Sequence, residues 1–524
     1  MTKQSFLKGT MILLAAGIVN RILGFIPRIT LPRVIGAEGV GLYQMGWPFL
    51  IVILTIVTGG IPLAVSKLVA EAEAERNYRR SARILKLALT LSVSISGIFT
   101  AVCILGARWI TSHLLTDERV YFTFLSMSPI IPIIAVSSVL RGYFQGKQDM
   151  IPTATSQTIE TLVRIVMVLL CSFALLPYGV SWAAAGAMIG VTIGEIAGML
   201  VLLIHYKLQR KKNVPVNKAQ IGTSAAHGRM TQLRRLLTLS LPITASRLVG
   251  AGSYLLESIL IAHSLAAAGI ATALATAQYG ALQGMIIPII LLPSALTSSL
   301  SVSLVPSLSE AAARKDLKTI HKRMHQSLRL ALVTGAPFAV IMYVLADPLC
   351  LLMYGQKDIA VMLKMLAPVA IFIYLQAPLQ AALQALDKPG SALINTLIGS
   401  LVKLLLIVWL ASKPEFGILG AVMASCVNVV LVTFLHGLSV LRHLKFTLRG
   451  SDVAKVSAAM GIASLCCYAV YRSIGSSMPA GMSFLLASAA ALTAYLAAVT
   501  VLKIVNRSDL SRLLTLGRKI IRKP

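Results

Sequence analysis

The chain has 524 residues, 57% of them hydrophobic and only 13% charged, with a mean hydropathy of +0.82 and a formal net charge of +30. An ordinary soluble domain carries about 25% charged residues, so this composition excludes one, and apolar stretches long enough to cross a bilayer recur along the whole length. The basic excess argues against a nucleic-acid partner, because it is parcelled out between the apolar runs instead of gathered in one domain.

In chain order the pattern predicts fourteen helices, over 7–34, 40–66, 84–110, 120–143, 151–177, 180–206, 235–262, 274–307, 326–353, 360–385, 390–411, 417–441, 453–475 and 480–504. The fold class expected is an all-α polytopic membrane protein. The first run is too long for a cleavable signal peptide, and Arg21 interrupts it. Thirty-six of the 48 Lys and Arg fall at the N-terminal end, in the even-numbered loops and in the tail, against six in the odd-numbered loops. This asymmetry predicts that both termini are cytoplasmic. The basic loops read as topology signals and contacts for anionic membrane lipids. His321 and His325 read as one face of a solvated helix. The six cysteines (Cys103, Cys171, Cys350, Cys426, Cys466, Cys467) show no metal or disulfide spacing. No metal, cofactor or catalytic set is expected, and Asp117–Glu118, the only adjacent acidic pair in the outer loops, reads as loop polarity.

Six basic residues remain inside helices: Arg21, Arg28, Arg33, Arg164, Arg247 and Lys403. A charge at the bilayer centre costs at least about 2.5–3.5 kcal/mol, so each needs a reason other than lipid. Arg33 is near a helix end and can snorkel. The intramembrane acids are Glu160, Glu195 and Glu257. An internal repeat organises the rest. The stretches around Glu71 and Glu310, Gln145 and Gln384, and Arg164 and Lys403 match at one offset of 239, and Arg21–Gly24 matches Arg247–Gly250 at 226. Two six-helix lobes related by a pseudo-twofold axis along the membrane normal follow. The expected division is an N-lobe over 1–208, a basic cytoplasmic linker over 209–234, a C-lobe over 235–445, two extra helices over 446–505 and a basic tail over 506–524. The repeat pairs Arg21 with Arg247 and Arg164 with Lys403. With Arg28, these cations are expected to line a central site for an anion. Glu160 lies one helical turn before Arg164 and is its expected charge partner; Glu195 and Glu257 are further partner or coupling candidates.

The motif Leu140-Arg141-Gly142-Tyr143-Phe144-Gln145-Gly146-Lys147-Gln148, then Pro152, Ser156-Gln157, Glu160 and Arg164, has the character of a family. So do Phe6-Leu7-Lys8-Gly9-Thr10, Arg21-x-Leu23-Gly24-Phe25 and Gly36-Ala37-Glu38-Gly39-Val40-Gly41-Leu42-Tyr43. Together they resemble the sporulation members of the polysaccharide-transport branch of the multidrug/oligosaccharidyl-lipid/polysaccharide exporter (MOP) superfamily, related to MurJ-type lipid II flippases. The resemblance implies two lobes around a V-shaped cavity and alternating access for a lipid-linked diphosphate sugar. It also implies a bacterial cytoplasmic membrane, or the outer forespore membrane, and a role in spore cortex synthesis beside other wall-synthesis proteins. By its context Arg21 matches the first of two helix 1 arginines that MurJ-type relatives need for function; Arg28 lies one residue beyond the second. Their helix 8 arginine has no counterpart here, where Gln278 and Gln283 stand nearby, and an acid early in their second helix is missing.

The expected function is therefore a flippase for an undecaprenyl-diphosphate-linked peptidoglycan precursor or a related lipid-linked oligosaccharide. No GxxxxGK[ST] motif is present for ATP hydrolysis. The alternatives are a non-transporting scaffold for wall synthesis and a cation-coupled drug exporter. A membrane glycosyltransferase would need an acid or His–acid set in a sizeable loop.

Overall fold

The computed structural model describes residues 16–17, 19–212, 229–444, 450–475 and 477–504. These form helices and no strand. The first half contains α1 (Ile26–Thr58), α2 (Ile61–Ala74), α3 (Tyr78–Trp109), α4 (Val120–Met127), α5 (Ile130–Gly146), α6 (Ile151–Leu175) and α7 (Val180–Lys212). There follow α8 (Arg229–Ala267), α9 (Thr272–Gly280), α10 (Ile287–Leu291), α11 (Ser294–Ala313), α12 (Leu317–Val344), α13 (Ala346–Tyr354), α14 (Ala360–Leu366) and α15 (Ala370–Ala385). The last four are α16 (Pro389–Ala411), α17 (Ile418–Leu444), α18 (Gly450–Ile474) and α19 (Ala480–Val501). Most of the predicted linker and the whole of the predicted tail lie outside the described residues.

Among the described residues twelve helical stretches are long and apolar enough to span a bilayer, or thirteen if α14 and α15, bent by 48°, count as one span. The protein is thus a multi-pass all-α membrane protein, though the count of fourteen is not reached on these criteria. Residues 19–34 of the expected helix 7–34, of which 7–15 and 18 lie outside the described residues, and the whole of the expected helix 40–66 fall in one 56-residue stretch from Val19 to Ala74. That length is more than twice the roughly 20 residues a crossing needs, and Gly36 interrupts it with φ 68°. The predicted helix at 274–307 divides at Leu292–Pro293, and the Ser/Thr-rich α11 is not among the candidate spans.

The backbone repeats the sequence offset. Arg76 and Lys315 both have φ 54°, Gln148 and Asp387 φ 58° and 56°, and Thr116 and Gly355 φ 57° and 74°, each pair 239 residues apart. These left-handed residues end helices, where one such residue lets the chain leave the axis. The next helix starts the same way in both halves. Asn77 Oδ1 accepts the Arg80 amide at 3.0 Å, and Asp316 Oδ1 accepts the Thr319 amide at 3.1 Å. Each cap satisfies one of the four amides a helix start leaves open.

Packing divides the chain into two compact units, residues 1–285 and 286–524. The break falls later than the expected linker because α8 and α9 lean on α1. A Cβ on Gly41 would lie 2.0 Å from the Thr276 carbonyl oxygen, and one on Gly280 2.3 Å from the Gly41 amide, so α1 and α9 meet backbone to backbone. The second unit has its core where α11, α12 and α15 pack, through Leu308, Met324, Leu328, Ala382 and Leu383, with α18 and α19 adding Ala459, Ala463, Tyr495 and Val499.

Candidate functional site

A stripe of glycines builds the first unit's polar centre. Gly186, Gly190, Gly194 and Gly198 recur every fourth residue on α7, and a Cβ on the first three would meet α6 at 2.4–2.7 Å. Small residues at this spacing let two helices touch along their backbones. The contact presses Arg164 against Gly194 and Glu160 against Gly198.

Glu160, 7% exposed, binds two arginines: Arg164 Nη1 donates to its Oε1 at 3.3 Å, and Arg141 Nη2 to its Oε2 at 2.6 Å. The expected i,i+4 partner is present, but the shorter bond comes from Arg141, which the charge partition counts with the cytoplasmic cations. Helix α5 runs on to Gly146, beyond the predicted end at 143, and carries Arg141 inside the fold. Glu195 on α7, 8% exposed, is a second buried acid within electrostatic reach of Glu160, Arg141 and Arg164. The cluster thus comprises two guanidinium groups and two acids.

Arg164 and Arg28 both lie within electrostatic reach of the half-buried Tyr43 on α1. Arg28 also acts on Tyr254 of α8, as does Glu257 one turn along the same helix. Beside them the buried Tyr279 hydroxyl donates to Ser258 Oγ at 2.9 Å. Three of the expected site residues, Arg28, Arg164 and Glu257, are therefore gathered around tyrosines from α1 and α8. The exposed Arg28 and half-exposed Arg164 present guanidinium edges that suit a phosphate.

Arg21 is exposed on a helical turn ahead of α1, before the break at Gly24–Phe25. Arg247 on α8 donates from Nη1 to the Gly59 carbonyl at the end of α1, at 2.9 Å. Gly60 N donates to Thr244 Oγ1, also at 2.9 Å, so this junction ties α1 and α2 to α8. Lys403, half-buried on α16, belongs to the second unit.

Sequence reasoning missed a second group. Asp117, read as loop polarity, is 2% exposed. It accepts from Arg119 Nε and Nη2 at 3.0 and 2.9 Å and from Thr276 Oγ1 at 2.7 Å, and Arg119 also pairs with Glu38. The hydrogen bonds that Arg119 donates to Asp117 hold its guanidinium firmly protonated, well above its ordinary range. The group locks the α1–α9 contact at one end. Nothing in the local sequence marks it, because Thr276 comes from 159 residues away. His321 Nε2 bonds the Leu444 carbonyl at 2.8 Å, and no metal cluster occurs among the described residues.

Residues 6–312 match the family model described as polysaccharide biosynthesis protein, and 251–409 match MatE. The chain is 43% identical over its full length to all of stage V sporulation protein B of Bacillus subtilis (strain 168). It is 25% identical over 88% of its length to 88% of the lipid II flippase MurJ of the same organism. Among solved structures, the lipid II flippase MurJ in an inward closed conformation has a TM-score of 0.70 at 16% identity, covering 94% of this chain and 98% of that one. An inward-facing multidrug resistance MATE family transporter of the MOP superfamily has a TM-score of 0.67 at 12% identity, covering 81% and 94%. A family model spanning more than half the chain and a full-length relative agree, and the fold is that of these two transporters: the chain belongs to the polysaccharide biosynthesis protein family.

Proposed function

We propose that this protein is a flippase that moves an undecaprenyl-diphosphate-linked peptidoglycan precursor, or a related lipid-linked oligosaccharide, across the bacterial cytoplasmic membrane during sporulation. Both termini are cytoplasmic in this reading. The names of the relatives support the substrate class, and the likeness to a stage V sporulation protein supports the occasion. The observation that carries the proposal is the half-exposed Arg164, with Glu160 at 3.3 Å as a resident counter-ion, together with the exposed Arg28 within electrostatic reach of the same Tyr43. A diphosphate offers acceptors to both guanidinium groups and displaces Glu160 from Arg164, leaving that carboxylate to Arg141. Arg21 and Arg247 are further substrate-binding cations of the first unit in the same proposal, Glu257 is an acidic partner there, and Lys403 is a substrate-binding cation of the second. The basic loops contact anionic lipids. The proposed role is transport.

The test is protection of fluorescent lipid II from an external reagent in proteoliposomes. Wild type is expected to expose both leaflets. Arg28→Ala with Arg164→Ala is expected to lower the rate at least tenfold at equal protein content, and lysines at both sites are expected to recover part of it. Full activity of the double alanine variant overturns the anion site. No movement by wild type at all favours the scaffold.

A further inference from the structure

Arg141 has a donor to spare. Its Nη2 donates to Glu160 Oε2 at 2.6 Å. Its Nε is buried and has no hydrogen-bond partner among the described residues. In a guanidinium group the Nε–H and one Nη2–H lie parallel on the same edge, two donors matched to the two oxygens of one carboxylate. Oε2 of Glu160 occupies one of the two seats on that edge. The second oxygen, Oε1, is drawn away instead to Arg164 Nη1, at 3.3 Å.

Nearly all buried donors in folded proteins are paired, and a charged one left open is costly. The two bond lengths account for the exception. A charge-assisted N–H···O bond is ordinarily about 2.7–2.9 Å long. The bond to Arg141 is at full strength, and the bond to Arg164 is stretched. Glu160 thus spans two arginines and completes the fork of neither. A small swing of its carboxylate, whose terminal torsion is soft, carries Oε1 from Arg164 to Arg141 Nε while Oε2 stays in place. Gly198 of α7 lies against the oxygen that stays: a Cβ there would be 3.3 Å from Oε2. The Arg164 side chain is also the more open, 30% exposed against 21% for Arg141, so an incoming anion meets Arg164 first.

We infer that Arg141 is a positioning residue of the anion site, whose Nε receives Glu160 Oε1 when a lipid diphosphate takes Arg164. The inference rests on the anion-transport reading and adds to it the group that makes the exchange possible. Without a second seat, Oε1 would be left buried and unpaired beside the negative charge that displaced it. With one, a stretched bond is given up and a two-point fork is closed, so the carboxylate is satisfied in both states. No covalent bond and no proton moves. Arg141 thereby sets how readily Arg164 is released. The apparent affinity for the anion is the intrinsic affinity scaled by the fraction of protein in which Glu160 has swung away. Glu195, within electrostatic reach of both arginines, is the rival carboxylate for the same seat.

Binding of undecaprenyl diphosphate and of uncharged undecaprenol to full-length protein in lipid nanodiscs tests this. Wild type is expected to prefer the diphosphate. Arg141→Lys keeps the charge but loses the planar fork. It is expected to weaken diphosphate binding about tenfold and to leave undecaprenol binding unchanged. Glu160→Gln is expected to bind the diphosphate at least as tightly as wild type, because a carboxamide holds Arg164 less firmly. Adding Arg141→Lys to Glu160→Gln is expected to change that affinity less than twofold. A merely structural loss would persist in the double variant, whereas an effect exerted through Glu160 disappears. Arg141→Gln, which also lacks the fork, is expected to follow the same pattern, so either variant suffices if the other does not fold. Diphosphate binding that either variant leaves at the wild-type level, or weakens by the same factor with and without Glu160→Gln, overturns the inference and leaves the anion site standing. An effect that disappears in Glu195→Gln and persists in Glu160→Gln gives the moving carboxylate to Glu195 and overturns it as well. Equal binding of the two lipids by wild type overturns the anion reading and the inference with it.

Discussion

The first and second halves use one backbone plan for different chemistry. In the first, the paired charges ride on α5 and α6, and α7 presents glycine to them along with Glu195. In the second, the position of Arg141 is Gln380, that of Ser156 is Asn395 and that of Glu160 is Gly399. There the glycine is on α16, and a Cβ on Gly399 would lie 2.2 Å from a Val432 methyl and 2.8 Å from Asn428 Oδ1 of α17. Caps and left-handed helix ends survive the duplication because they are local solutions to open backbone groups. The buried polar residues diverge because each has only to satisfy its neighbours. The result is an ionic centre in one half and, in the other, the buried His436 bridged by Asn395 and Gln380 at 3.1 Å each.

The largest expected effect comes from breaking the ionic centre. Glu160→Ala removes the one carboxylate that Arg141 and Arg164 both bond, leaving only Glu195 near them. Losing one partner of a buried pair costs about 3–5 kcal/mol. The repeat-related network should lose less, since Asn395→Ala removes neutral hydrogen bonds, at about 1–3 kcal/mol. Thermal unfolding of purified protein in detergent checks the order. If Asn395→Ala unfolds at the lower temperature, the ionic centre is not the more demanding of the two. Adding Arg164→Gln to Glu160→Gln should recover stability relative to Glu160→Gln alone, because fewer unpaired charges remain.

A smaller effect separates the glycines. Gly194 and Gly437 sit on α7 and α17, the corresponding helices of the two halves. A Cβ on Gly194 would lie 2.7 Å from Arg164 Cβ and 3.0 Å from its Cα, whereas one on Gly437 meets nothing within 4 Å. Gly194→Ala should cost about 1–3 kcal/mol by overpacking. Gly437→Ala should gain up to about 1 kcal/mol from helix propensity. Melting temperatures that move the same way would show that the α6–α7 contact is looser than its glycines indicate.

These contrasts mark what the sequence could tell. Hydropathy and the cation partition carry the class and most helices, because lipid acts on every residue of a span. The offset of 239 reappears in the caps and helix ends. Helix starts are less legible: α3 and α12 begin at Tyr78 and Leu317, six and nine residues before the apolar runs at 84 and 326. The first turns there are basic and amphipathic, so the Asx cap, not apolarity, marks the start. Site residues are legible where both partners share a helix, as Glu160 and Arg164 do. Arg141 and Asp117 are opaque because their partners come from other helices. Arg141 also looked like a loop cation, since α5 outlasts its apolar stretch. Arg247 shows the opposite limit: the repeat pairs it with Arg21, and its observed bond is to the Gly59 carbonyl.

The smallest contrast lies in the two repeat-related caps. Asn77 and Asp316 make the same bond to the third amide of their helices, at 3.0 and 3.1 Å, but only the aspartate titrates. Hydrogen bonds from the Thr319 hydroxyl, at 2.6 Å, and from its amide hold the Asp316 carboxyl below the usual carboxylate range. A depressed folded-state pKa means that the cap's contribution is fully present above the ordinary value, near 3.9, and is lost as pH falls through the lower folded value. Asn77→Ala should therefore loosen α3 by about 1 kcal/mol at every pH. Asp316→Ala should loosen α12 at neutral pH and lose its distinction from wild type in acid. Asp316→Asn should cap as Asn77 does, without pH dependence. Hydrogen exchange of the first-turn amides, Arg80 in one half and Thr319 in the other, reads each cap separately from global stability. Protection at Thr319 that falls in acid equally in wild type and Asp316→Asn would assign the change to a group other than the cap.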